Sequence, residues 1–184
     1  MTKCNLPAVS FPRCKRRKVE AHFGGGAVSS DGGVLLLRQA DRRLGLTAGV
    51  AAVLGDERRR SSCQHETLSL LRQRVYALAL GYEDLNDHQT LRADPGLQTA
   101  VDRDAPLASS PTLCRWENRA DRETAWAIQR ELVEQFIASY KQPPRRVILD
   151  FDATDDAVHG DQEGRFFHGY YGQYCFLPVY VFCG

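Results

Sequence analysis

Two adjacent prolines, Pro143 and Pro144, separate two hydrophobic periodicities that do not fit one kind of element. Proline lacks a backbone N–H and disfavours helix in the residue before it, so a helix arriving here must stop. Ahead of the prolines, residues 65–140 carry a helical pattern. Leu68, Leu71, Val75 and Leu78 recur at the spacing of one buried face, and Gly81 supplies a stop. Asp94-Pro95 and Ser110-Pro111 each set a capping side chain before a proline at the first helical position. A short helix over 111–118 carries Arg115, Glu117 and Asn118, and a long one starts near Arg122. Its stripe, from Trp126 through Leu132, Val133, Phe136 and Ile137 to Tyr140, assigns Trp126 to the core. Behind the prolines, Val147-Ile148-Leu149 reads as a buried strand, Phe166 to Tyr174 as a hairpin-like stretch and Phe176 to Phe182 as another strand. Helices first and strands afterwards define an α+β chain.

Upstream, His22 to Val28 reads as a short strand, and Asp31-Gly32-Gly33 turns into a helix from Val34 to about Leu44. No G-x-G-x-x-G or G-K-[ST] accompanies these glycines, so a tight turn is favoured over a phosphate cradle. Residues 1–20 read as irregular and strongly basic: Lys3, Arg13, Lys15, Arg16, Arg17 and Lys18 stand against Glu20 alone. The net charge of +1 therefore hides a basic arm ahead of a mildly acidic body. Such an arm either contacts nucleic acid through Arg16, Arg17 and Lys18 or is a solvated, flexible leader.

Apolar residues make up 43% of the chain and charged residues 26%, which suits a globular protein with a core of its own. The longest apolar stretch, Leu68 to Leu80, is interrupted by Arg72, Gln73 and Arg74, so no membrane span is expected. None of the six cysteines forms a C-x-x-C pair, and Cys63 with His65 lacks a second ligand pair. Reduced thiols and a cytoplasmic location are expected.

The sharpest chemical feature is the run Asp150, Asp152, Asp155 and Asp156 after the apolar strand. Alternate residues of a strand share a face, so Asp150 and Asp152 point together while Phe151 points into the core. Two carboxylates side by side repel each other unless a divalent cation sits with them, and oxygen ligands suit magnesium or manganese. An acidic turn that caps the next element is the plainer alternative. Two enzyme classes open on such a strand. In haloacid dehalogenase-like phosphohydrolases the motif is D-x-D-x-T, matched by Asp150-Phe-Asp152-Ala-Thr154, with Asp150 as nucleophile and Asp152 as general acid–base. In ribonuclease H-like polynucleotidyl transferases a first-strand aspartate shares two metals with later carboxylates. The 146 residues ahead of the strand, and the aromatic, strand-like segment after it, favour the second class.

Further segments carry a resemblance. They are Gly25-Gly26 through Gly33-Val34-Leu35-Leu36-Leu37, Gly81-Tyr82-Glu83-Asp84-Leu85-Asn86-Asp87-His88, and Leu91-Arg92 with Asp94-Pro95. Ser110-Pro-Thr112-Leu113 follows with Arg115, Glu117 and Asn118, then Leu149 to Asp155, His159-Gly160, Gln162 and the Tyr170 to Pro178 stretch. In this order they resemble the bacterial DDE transposases of insertion-sequence family 1380 (DDE group 1), from about residue 23 to the end. The resemblance implies a helical, DNA-engaging region over 23–142 behind a leader over 1–22, and the first strands of an incomplete ribonuclease H-like mixed sheet over 143–184. It implies cut-and-paste cleavage and strand transfer at terminal inverted repeats of double-stranded DNA, with magnesium or manganese, by a homo-oligomer. It places the first catalytic, metal-holding aspartate at Asp152, with Asp150 in reserve, and the other two carboxylates beyond Gly184. The chain is thus expected to be an N-terminal fragment, inactive alone. Arg115 and Asn118 are candidate DNA contacts, against the alternative of a salt-bridged surface helix. In the segment Asp84 to His88, capping is the expected role. A DNA-binding or regulatory relic and the phosphohydrolase remain as alternatives. An exposed Phe176 to Phe182 edge predicts self-association.

Overall fold

The computed structural model describes residues 8–21, 31–56, 58 and 63–183. It divides into two compact units, Met1–Ser139 and Tyr140–Gly184. The chain is α+β, with helices concentrated in the first unit and most strands in the second. The strand expected over His22 to Val28 lies outside the described residues.

The first unit opens on a hairpin where an irregular leader was expected. Strands β1 (Val9–Cys14) and β2 (Arg17–Ala21) pair antiparallel, with Phe11 opposite Val19 and Cys14 opposite Arg17. Phe11, Cys14 and Val19 bury one face and pack with Leu35, which offsets the repulsion of the intervening cations. The register shifts between Phe11 and Cys14, which accommodates Pro12, and Lys15 makes the turn with φ +50°.

Helix α1 (Val34–Leu44) follows a turn in which the Val34 N–H donates to the Asp31 carbonyl. Gly45, at φ +71°, ends it and opens α2 (Leu46–Val53). Helix α3 (Thr67–Ala79) ends in a left-handed cap at Gly81, φ +93°, where the Tyr82 N–H donates to the Ala77 carbonyl at 2.9 Å. The short helices α4 (His88–Leu91) and α5 (Pro95–Ala100) follow a 3-10 turn over Leu85–Asp87. Asp84 accepts from the Asn86 N–H and Asp94 from the Leu97 N–H, the capping roles expected of them. In α6 (Ser110–Glu117) the cap position belongs to Ser109, not Ser110. The Ser109 carbonyl accepts from Thr112 and Leu113, while Ser110 is buried inside the first turn. Proline is tolerated one residue later because that N–H is unsatisfied in any helix start. Helix α7 (Arg122–Ala138) is capped by Asp121.

Two expected faces differ. In α3 the buried residues are Thr67, Leu70, Gln73, Tyr76 and Ala77, while Leu78 is exposed. The polar ends of Gln73 and Tyr76 find buried partners, so these residues displace the leucine stripe from the centre of the packing. In α7 the half-buried side is Thr124, Ala127, Ile128, Glu131 and Gln135, and α7 packs on α2. The apolar stripe is exposed, with Trp126 at 68%. A periodic stripe reports that a helix has two faces; it does not report which face its neighbour takes.

A buried ion network ties the first unit together. Asp102 takes the left-handed position after α5, φ +65°, where the Arg103 N–H closes onto the Gln98 carbonyl at 2.8 Å. Glycine normally fills that position, and a side chain there costs about 1–2 kcal/mol. The Asp102 carboxylate offsets this cost by accepting from Arg38, Arg42 and Arg72 at 2.7–3.0 Å. Arg38, only 1% exposed, also donates to the Pro12 carbonyl and so anchors the hairpin. Nearby, Asp41 accepts from Thr47 and from the Tyr76 hydroxyl. Burial alone would raise the Asp41 and Asp102 pKa values, but these bonds and the arginines outweigh it and hold both below the usual carboxylate value.

The second unit has two small sheets, and every pairing among the described residues is antiparallel. Strand β3 (Leu149–Ala153) pairs with β7 (Val179–Cys183). A three-stranded sheet has the order β4 (Asp156–Ala157), β6 (Gln173–Phe176), β5 (Phe166–His168). Val147 and Ile148, expected inside a buried strand, precede β3 and are exposed. The expected Phe176 to Phe182 strand is broken at Leu177-Pro178, because proline cannot donate to the ladder.

Candidate functional site

Register fixes what the aspartates can do. Asp150 lies opposite Phe182, and Asp152 opposite Tyr180. By strand alternation these four share one face, where the Tyr180 and Phe182 rings stack with centroids 6.3 Å apart. Leu149, Phe151 and Ala153 share the other face with Val179, Val181 and Cys183. Phe151, expected in the core, is 69% exposed, because nothing within this short unit covers that face.

Neither the Asp150 nor the Asp152 side chain has a hydrogen bond or ion pair among the described residues, so their carboxylate oxygens are open to a ligand. Magnesium is commonly held by one or two carboxylates, with water and phosphate oxygens completing its shell. The pair fits part of such a set. No group of three metal-ligating side chains occurs among the described residues. Asp155 is turned to a structural role, accepting from Gln173 Nε2 at 2.9 Å, and Asp156 lies in β4.

The other candidates lie in the first unit. Arg115 and Asn118 are exposed on α6 and at its C-terminal end. The helix is positioned from below. Gln73 grips the Ala108 peptide from both sides, its Nε2 donating to the carbonyl at 2.9 Å and its Oε1 accepting from the N–H at 3.0 Å. Arg74 donates to Glu117 at 2.6 Å, so Glu117 serves α3 rather than the surface. Gln73 Nε2 also approaches His88 Nδ1 at 3.1 Å. An amide nitrogen only donates, so His88 accepts and is neutral; burial lowers its pKa first, with Arg74 adding to this. In the hairpin, Lys18 pairs with Glu20, Arg17 reaches the Asp104 carbonyl, and Arg16 stands exposed at the turn.

One basic constellation has no counterpart in the sequence reading. A cavity of about 290 Å³ is lined by Arg58, Arg92, Arg115, Arg119, His65 and Trp116 among others. Only the i, i+4 spacing of Arg115 and Arg119 hinted at it; the remaining residues come from distant parts of the chain.

The geometry thus defines an α+β protein with an arginine-lined cavity in its helical unit and a strand-borne pair of aspartates. Residues 11–184 match the family described as Transposase DDE domain group 1, and the chain belongs to it. No curated protein and no solved structure matches the chain. Transposition and DNA as the partner follow from the family, whereas neither the phosphohydrolase nor the relic reading gains support. No helix among the described residues is long and apolar enough to cross a membrane.

Proposed function

We propose that the chain is the DNA-engaging and first catalytic part of a cut-and-paste transposase of insertion-sequence family 1380. The match over residues 11–184 carries this reading, joined to the paired, unpartnered aspartates of β3. Asp152 is the metal-holding aspartate and Asp150 its alternate. A magnesium or manganese ion held there would activate a water or 3′-hydroxyl for in-line attack on a phosphodiester. β3 and β7 would belong to a ribonuclease H-like mixed sheet completed, like the set of carboxylates, by residues outside this sequence. Until it is completed, the chain binds terminal inverted repeats in the cytoplasm without cutting them and self-associates through its exposed apolar faces.

Arg115, Asn118 and Arg16 are the proposed DNA contacts, because all three are exposed and none is held by a carboxylate among the described residues. Arg17 and Lys18 add charge to the same hairpin. A mobility-shift assay with inverted-repeat duplex tests the reading. Binding without cleavage in magnesium is expected, with Asp152→Asn binding DNA as tightly as the parent but losing manganese binding in calorimetry. Cleavage by the chain alone, or an Asp152→Asn variant that still binds manganese normally, would refute the assignment.

A further inference from the structure

We infer that the arginine-lined cavity between α6, Arg58, residues 63–65 and Arg92 is a seat for one DNA backbone phosphate. The inference rests on the transposase reading and adds to it a specific anion site. Four guanidinium groups, Arg58, Arg92, Arg115 and Arg119, line about 290 Å³, with no carboxylate lining it among the described residues. Arg58 alone is neutralised, by Asp56 at 2.6 Å. Arg92 is half-buried, and neither it nor Arg119 has a side-chain partner among the described residues. Gathering like charges into a cavity is unfavourable unless an anion joins them.

Two independent features point the same way. The cap and first turn of α6 contribute Ser109 and Thr112 to the wall, at the positive end of the helix; these two hydroxyls bond each other at 3.0 Å, which leaves one hydroxyl hydrogen for an anion. His65, only 9% exposed, lines the cavity, and its Nδ1 has no hydrogen-bond partner among the described residues. Thr112, Arg115, Trp116 and Arg119 recur at i, i+3, i+4 and i+7, so one face of α6 and the turn beyond it forms a single wall. Trp116 is half-buried and makes the site less watery than an open surface patch, which strengthens each charge-assisted bond. Arginine suits phosphate because its planar fork donates two parallel bonds. A phosphate contact fixes register and carries no base information, so this seat would position DNA of any sequence.

The test uses the full chain and a duplex of defined length. Arg119→Gln, at an exposed position, leaves the fold intact by circular dichroism and weakens binding about tenfold, equally for inverted-repeat and unrelated duplex. Arg92→Gln does the same. One phosphate sits between the two arginines, so the double variant lowers the slope of log affinity against log salt by about 0.9, not twice that. In the parent protein, duplex and inorganic phosphate both move the His65 ring resonances; the double variant shows neither shift. Unchanged affinity and salt slope in Arg119→Gln, with the parent still binding DNA, would overturn the seat and leave the transposase reading standing. Shifts with inorganic phosphate but none with duplex would equally overturn it, in favour of a small free anion. A parent chain that binds no DNA at all would instead remove the reading on which the inference rests.

Discussion

In the unit ending at Ser139, Leu70, Leu97, Leu107 and Leu113 are fully buried, and even Arg38 is only 1% exposed. In the unit beginning at Tyr140, Cys175 alone is buried among the described residues, and Phe151, Phe167, Tyr180, Val181 and Phe182 all stand open to solvent. Both units carry apolar patterns in sequence, but only the first turns its pattern into a core. Helices pack on one another and bury a shared core. A two-stranded ribbon buries neither face unless another layer covers it. Stability therefore resides in the helical unit, while the groups suited to metal chemistry are carried on a ribbon positioned by its backbone ladder.

The largest expected effect breaks the helical unit at its ion network. Asp102→Ala leaves Arg38 buried without its carboxylate and should cost about 3–5 kcal/mol. Helix melting followed by circular dichroism should fall by about 10 °C or more. An Arg38→Leu/Asp102→Asn double variant should recover part of the loss, because it removes the most deeply buried charge, asparagine tolerates the left-handed position, and Arg72 keeps Asp41 at 3.4 Å. A single variant that melts like the parent would mean the network contributes nothing, and the left-handed Asp102 would then be unexplained strain.

A matched pair of truncations sharpens the contrast. Leu70→Ala, at a site with no exposure, should lose about 2–5 kcal/mol in urea unfolding. Phe151→Ser removes more apolar volume from a 69% exposed site, yet should change stability by no more than about 0.5 kcal/mol. The same substitution should reduce self-association in light scattering, since it breaks the apolar face of β3 and β7. A large stability loss from Phe151→Ser would show that another layer already covers that face.

The helix over Val34–Leu44, the stop at Gly81, the helix start at Asp94-Pro95, and the change of element after Pro143-Pro144 were all legible, because each is written in neighbouring residues. The hairpin over residues 9–21 was not. Its turn is Lys15-Arg16 rather than Asn-Gly, and cations occupy its outward positions, so it looked like a solvated leader. The burial of Gln73 and Tyr76 was hidden because their partners, Ala108 and Asp41, lie 35 residues away in opposite directions. For the same reason Arg58, Arg92 and Arg119 were missed as one constellation, whereas the shared face of Asp150 and Asp152 was legible because a strand brings them together within three residues. Local chemistry is readable from a chain; convergence of distant cations is not.

The smallest effect expected is a pH dependence that belongs to the helical unit. His65 is buried and faces Arg103, Arg92 and Arg58, and both influences lower its pKa below 6.5. His88 is buried beside Arg74; Glu117 and Asp87 pull the other way without reversing the lowering. In the unfolded chain both rings take up a proton as pH falls through about 6.5, while in the folded chain they resist until a lower pH. Stability should therefore decline as pH drops below about 6.5, by at most about 1.4 kcal/mol per pH unit for each ring. Asp41 and Asp102 act later, their stabilisation being complete above about pH 4 and lost as pH falls through their lowered folded values. Urea unfolding at pH of about 7.5, 6.5 and 5.5, and again at about 3, separates the two stages, and His88→Gln should shrink the first to the His65 part without touching the second. A curve already flat in the parent between pH 7.5 and 5.5 would mean both rings reach water, and the packing of α3 on the Ala108 segment would be looser than these contacts require.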